Sequence, residues 1–310
     1  MTRTDVTIVE VGPRDGLQSV GQTMSTPMKC RWIDALAGAG LQQIQVGSFV
    51  SPRALPQMAD CAAVVQHALA IPGLRVSVLA PNLRYADVAL AAGVHVLTIP
   101  VSVSEPHSIA NIRKTHDEII EDVRAIVALR DDRYPGLHIE VGLATAFGCT
   151  IQGVVPEDDV IRMAHRVVEC GVDSIHPADT VGFASPTQIR RLVPRLRAEV
   201  GEKCAGVHLH NTRGQGLANV VAALDVGIRA FDSSHGGLGG CPYAPGATGN
   251  IVTEDLAFLL ESMGLRTGVD IERLIEARSI LAAGLPGAEL YGHVADAGLP
   301  KGFAPATAAV

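Results

Sequence analysis

Aromatic residues make up only 4% of the 310 positions, and there is no basic excess, the formal net charge being −7. The first scarcity disfavours a base-stacking platform for single-stranded nucleic acid. The second argues against non-specific nucleic-acid binding and supplies no polybasic patch for a membrane surface. No apolar run is long enough to span a bilayer. No CxxC spacing occurs either: Cys30, Cys61, Cys149, Cys170, Cys204 and Cys241 are widely scattered. That pattern reads as free thiols in a reducing compartment, not as a disulfide framework. The N-terminus lacks an apolar signal region, and the first apparent strand begins by about residue 6, which leaves no space for a transit segment. A soluble cytoplasmic protein is expected.

What is present is an alternation. The chain is 47% hydrophobic and 18% charged, enough to bury a large core. Short β-rich runs recur at Val6–Val11, Gln43–Phe49, Arg75–Ala80, Val96–Val101, His138–Thr145, Ser174–Pro177, Gly206–His210 and Ala230–Ser233. Amphipathic stretches of helical length lie between most of them, including Lys29–Ala39, Asp117–Leu129, Glu157–Cys170, Thr187–Val200 and Gly216–Val226. Several end in Ala-Gly-Val, Cys-Gly-Val or Val-Gly-Ile, where glycine suits the left-handed residue that stops a helix. Eight strand–helix repeats with no break in composition predict an α/β fold, a closed (β/α)8 barrel of the TIM type. We expect a single domain over residues 1–310, with the barrel over about 5–265. A C-terminal helical extension, with a Gly/Pro/Ala tail loosely held at its end, is expected over about 266–310.

In such a barrel the chemistry sits at the C-terminal ends of the strands. The first strand ends in Val11-Gly12-Pro13-Arg14-Asp15-Gly16-Leu17-Gln18. There an aspartate could ligate a cation and its arginine neighbour could hold an anionic oxygen; the plainer alternative is a turn with a surface ion pair. The seventh run reads Gly206-Val207-His208-Leu209-His210-Asn211. Side chains alternate along a strand, so His208 and His210 share a face with α-carbons about 6.6–6.8 Å apart. They are either a ligand pair or two hydrogen-bonded histidines lining the barrel. Asp15, His208 and His210 open on one rim, and one carboxylate with two imidazoles suits a divalent ion such as Mg²⁺, Mn²⁺, Fe²⁺ or Zn²⁺. After the eighth strand, Ser234-His235-Gly236-Gly237-Leu238-Gly239-Gly240-Cys241-Pro242 marks a backbone-exposed loop suited to a lid or a phosphate cradle. Its spacing is not G-x-G-x-x-G, so a dinucleotide fingerprint is discounted. Cys241 is either a buried structural thiol or, held over an active site, an acid–base group.

In order and spacing these segments resemble the 3-hydroxy-3-methylglutaryl-CoA lyase family of metal-dependent TIM-barrel lyases. Ser48-Phe49-Val50-Ser51-Pro52-Arg53, Pro56-Gln57-Met58, Leu79-Ala80-Pro81-Asn82-Leu83, Asp179-Thr180-Val181-Gly182 and Gly237-Leu238-Gly239-Gly240-Cys241-Pro242-Tyr243 extend the likeness from Val9 to about Leu281. The resemblance implies Asp15, His208, His210 and Asn250 as metal ligands, with Mg²⁺ or Mn²⁺ foremost and Zn²⁺, Fe²⁺ or Co²⁺ as alternatives. It implies Arg14 as the group that steadies a developing enolate and Cys241 as a catalytic loop cysteine. Gln18, Gln45 and Asp179 fall at expected substrate-binding positions, and His208 is the expected base. The implied reaction is retro-Claisen cleavage of an acyl-CoA thioester to acetyl-CoA and a keto acid. A homo-oligomer is implied too.

The pattern breaks at three places. Gln45 stands where the family carries a glutamate, which removes one charge and one exchangeable proton. His176-Pro177-Ala178 replaces a Ser-Leu-Gly type stretch. His235-Gly236 replaces Val-Ala, and Pro245 a common glutamine. Together these point to a shifted substrate, such as citramalyl-CoA, to a condensing or aldolase-type relative, or to a barrel that binds acyl-CoA without turning it over. If Gln45 is the cause, Gln45→Glu is expected to raise activity on the standard substrate.

Overall fold

The structure is a computed structural model, which describes residues 4–239 and 249–306. Eight strands are present: β1 (Thr7–Glu10), β2 (Gln43–Ser48), β3 (Arg75–Leu79), β4 (Val96–Ser102), β5 (His138–Ala144), β6 (Ser174–Pro177), β7 (Val207–His208) and β8 (Ala230–Ser233). All pairings are parallel. The order β6-β5-β4-β3-β2-β1-β8-β7 brings the first and last strands side by side, as a TIM barrel requires. The remaining seam, β6 to β7, carries two isolated bridges, Ile175 with Cys204 and Ala178 with His208.

Helices follow every strand, from Thr26–Gly38 after β1 to Thr253–Ser262 after β8. Their apolar stripes face the sheet: Val160, Met163, Ala164 and Val167 are the buried positions of Glu157–Glu169, the i, i+3, i+4, i+7 spacing of one helical face. Thr115 and Glu118 start the helix His116–Arg133 with a reciprocal capping box. The glycines that close helices ahead of β4, β6 and β8 (Gly93, Gly171, Gly227) are left-handed, as expected. Outward-facing strand residues such as Ile139, Val141 and Leu143 are fully buried under the helices. The inward-facing row of the same strand is His138, Glu140, Gly142 and Ala144. With Gln45, Thr98, His176 and Asp232 from the other strands, Glu140 makes the lower interior polar.

Two expectations need adjustment. The seventh strand is shorter than Gly206–His210, because His210 leaves the parallel ladder and bridges Asn250 antiparallel. The segment 249–251 comes back along this stretch, with Asn211 N–H on the Gly249 carbonyl at 2.7 Å and Ile251 N–H on that of Leu209 at 3.3 Å. The C-terminal extension has two helices, Ile271–Gly284 and His293–Ala297, and its described tail is docked. Phe303 lies 5.2 Å from Phe258 between ring centroids, and Ala306 N–H reaches Glu261 at 2.7 Å. Among the described residues, no helix is long and apolar enough to cross a membrane.

Candidate active site

The first strand delivers its functional residues through one tight turn. The Val11 carbonyl accepts the amides of Arg14, Asp15 and Gly16 at 3.1, 2.7 and 3.3 Å. Beneath lies the Glu10 carboxyl, fully buried, taking Gly12 N–H at 2.7 Å, His235 N–H at 2.9 Å and the Thr253 hydroxyl at 2.6 Å. A β-carbon on Gly12 would stand 2.5 Å from Glu10 Oε1, so any other residue here would have to displace the buried carboxyl. Burial pushes the Glu10 carboxyl up to about 8. One side chain thus ties the turn bearing Arg14 and Asp15 to the start of the glycine loop.

Asp15 receives the Gln18 amide on Oδ1 at 2.8 Å and the Asn250 amide on Oδ2 at 2.7 Å, and pairs with Arg14. Burial opposes its charge, but Arg14, the two histidines and Asn250 hold it down at about 2. His208 and His210 converge as their spacing predicts, with ring centroids 5.0 Å and Nε2 atoms 3.0 Å apart. Ligand atoms of Asp15, His208 and His210 all lie within 4.8 Å of one another, the one such cluster among the described residues. Two buried atoms beside it, His210 Nδ1 and Asn250 Oδ1, have no hydrogen-bond partner. One carboxylate, two imidazoles and an unclaimed amide oxygen fit an oxygen-preferring divalent cation.

His208 Nδ1 faces Asp232 Oδ2 at 3.0 Å. A carboxylate there fixes the ring's tautomer and turns the Nε2 lone pair toward the cluster. Burial works against a charged His208, yet Asp232 and Asp15 raise it above the ordinary histidine value. His210, buried beside it, falls to about 3.

From Arg14 a chain of polar contacts crosses the barrel floor. Arg14 Nε donates to Gln45 Oε1, and Gln45 Nε2 to the Thr98 hydroxyl at 2.9 Å. Thr98 donates to Glu140 Oε1 at 3.2 Å, and Glu140 Oε2 lies 3.3 Å from His176 Nε2. His176 Nδ1 stands 3.8 Å from Asp232 Oδ1, returning the chain to His208. Burial would keep His176 neutral, but the carboxylates on either side lift it to about 9. Burial in turn raises Glu140, and the two histidines lower Asp232. Thr98, Glu140 and Asp232 were missed by sequence reasoning. Their signal was a period-two polar pattern inside strands, at 138 and 140, 174 and 176, and at 232.

Asp179 follows β6. Its amide donates to the His208 carbonyl at 2.8 Å, and its Oδ1 accepts Phe183 and Ala184 N–H at 2.7 and 3.1 Å. Oδ2 is buried with no partner, and burial raises the carboxyl to about 6. Both ends of the Gln45 amide are engaged, so it orients Arg14. Cys241 and Pro245 lie outside the described residues.

A profile of the HMGL-like family matches residues 5–281. The chain belongs to this family. It is 39% identical to hydroxymethylglutaryl-CoA lyase YngG of Bacillus subtilis over 88% of this chain and 90% of that one. It is also 39% identical to the (R)-citramalyl-CoA lyase of Chloroflexus aurantiacus over 90% and 91%. A solved HMG-CoA lyase from Acinetobacter baumannii, in complex with coenzyme A and 3-methylmalate, superposes with a TM-score of 0.90 at 36% identity, covering 98% of this chain and 99% of that one. One HMG-CoA lyase and one citramalyl-CoA lyase thus share the same 39% identity with this HMGL-like chain.

Proposed function

We propose that the protein is a divalent-metal-dependent carbon–carbon lyase that cleaves 3-hydroxy-3-methylglutaryl-CoA, or a close hydroxyacyl-CoA analogue, to acetyl-CoA and a keto acid. The observation that carries this reading is the Asp15–His208–His210 cluster with Arg14 against it. Asp15, His208, His210 and Asn250 would hold the ion, Mg²⁺ or Mn²⁺ foremost, which supplies Lewis-acid polarisation of an alcohol oxygen. Arg14, held between Asp15 and Gln45, keeps fixed positive charge where thioester enolate charge develops. His208 has Nδ1 on Asp232 and Nε2 toward the cluster, so we assign it to holding the ion. The unpartnered Asp179 Oδ2 takes over as acceptor of the carbinol proton. Cys241 donates the proton that turns the enolate into acetyl-CoA.

A second reading, citramalyl-CoA cleavage, is favoured by the 39%-identical citramalyl-CoA lyase. In either case we expect a cytoplasmic homo-oligomer. A metal-supplemented assay over a panel of hydroxyacyl-CoA thioesters, following acetyl-CoA release, tests the proposal. Release from at least one member is expected. No release from any, with the thioesters still bound, overturns the lyase in favour of an acyl-CoA-binding barrel.

A further inference from the structure

On the side of the barrel mouth opposite the β1 and β7 cluster, the inward row of β5 loses its side chain at Gly142. That residue pairs in register with Pro100 of β4 and His176 of β6. A β-carbon built on it meets no heavy atom of the described residues within 4 Å, whereas one on Gly206 would strike the His176 ring at 2.8 Å. Pro100, Gly142 and Ala144 keep partial exposure while their outward neighbours are fully buried. A notch therefore opens into the mouth, with Pro100 and Ala144 as small apolar walls and the His176 ring on the β6 side. One residue below Gly142 on the same face lies Glu140, and beside it is His176, nine-tenths buried, with no hydrogen-bond partner for Nδ1.

Charge decides what the notch takes. The floor is two carboxyl groups, Glu140 and Asp232, with the His176 imidazole between them, so it offers no surplus of positive charge to an anion. An apolar or hydroxyl-bearing branch is accommodated there. Resting on the lyase reading above, we propose that the Gly142 notch receives the uncharged substituent of the carbinol carbon. A further carbon at Gly142 meets no described atom within 4 Å, which leaves room for a branch longer than methyl, so the substrate class is 3-alkyl-3-hydroxyacyl-CoA thioesters. Gly142 sets the permitted branch length.

The test compares 3-hydroxy-3-methylglutaryl-CoA with its 3-ethyl and 3-propyl analogues, by kcat/KM and by calorimetric binding, in the wild type, Gly142→Ala and Gly142→Val. The wild type is expected to take the 3-propyl thioester at least as well as the 3-methyl thioester. The propyl-to-methyl ratio should fall about tenfold or more in Gly142→Val, the discrimination an apolar pocket gives per one or two carbons, and by less in Gly142→Ala. Should Gly142→Val fail to fold, the alanine variant, which meets no described atom, carries the comparison. A ratio unchanged in every variant while acetyl-CoA is still released overturns the notch and leaves the lyase standing. Branch-dependent binding, lost in the variants but without turnover of any ester, overturns the lyase and leaves the notch. Esters that neither bind nor react overturn both.

Discussion

Asp232 faces two histidines at once: Oδ2 is 3.0 Å from His208 Nδ1, within hydrogen-bond reach, and Oδ1 is 3.8 Å from His176 Nδ1. It joins the ligand cluster to the chain of polar groups across the floor. Its removal should therefore be felt at the ion, which it never touches. Asp232→Asn keeps the shape but no longer enforces the His208 tautomer. Metal affinity should fall about 10- to 100-fold, measured by titration followed by elemental analysis. Unchanged affinity would remove Asp232 from this role.

Gln45→Glu, expected from sequence alone to raise activity, acquires the opposite sign in the structure. Thr98 has one hydroxyl proton, which it gives to Glu140 while accepting from Gln45. A glutamate at 45 brings no donor and sets two carboxylates across that one hydroxyl. We expect Gln45→Glu to lower kcat/KM by about tenfold, the scale on which residues in one buried network couple. In Gln45→Glu with Glu140→Gln the chain is rebuilt in reverse, and most of the loss should return. Independent, additive effects of the two changes would refute the coupling.

Glu10 predicts a pH dependence of stability. Its carboxyl sits near 8 in the fold against an ordinary glutamate value of 4.5. Below 4.5 both folded and unfolded chains hold the proton, and the group contributes no slope. Between about 4.5 and 8 the folded chain alone retains it, so stability declines as pH rises, by a few kcal/mol in all. Above 8 the decline ends. Glu10→Gln mimics the protonated carboxyl and should flatten this part of the curve, as read from urea midpoints between pH 5 and 9. A variant as steep as the wild type would show that another group is responsible.

Much of the site could be read before the fold was known. Asp15, His208 and His210 are legible because strand ends fall on one rim, and a His-x-His pair on a strand must share a face. Asn250 needed the family resemblance, since nothing local ties it to His210; the antiparallel bridge that does so is made by chain returning from beyond the glycine loop. Glu140 and Asp232 stood out only as polar positions inside strands, and their partners were illegible for a different reason. Inside a barrel, which polar residues meet depends on register summed around the strands. Thr98 opposite Glu140, and His208 opposite Asp232, are facts of that register.

The seam between β6 and β7 divides the labour of the site. Among the described residues, His208 meets β6 through its bridge to Ala178, with the Asp179 amide on the His208 carbonyl at 2.8 Å. On its other flank β7 pairs with β8, and β8 with β1, the strand that leads into the Asp15 turn. Asp15 and the two histidines therefore lie on one side of the seam and Asp179 on the other. A substitution that loosens the seam is expected to move Asp179 while every ligand keeps its place.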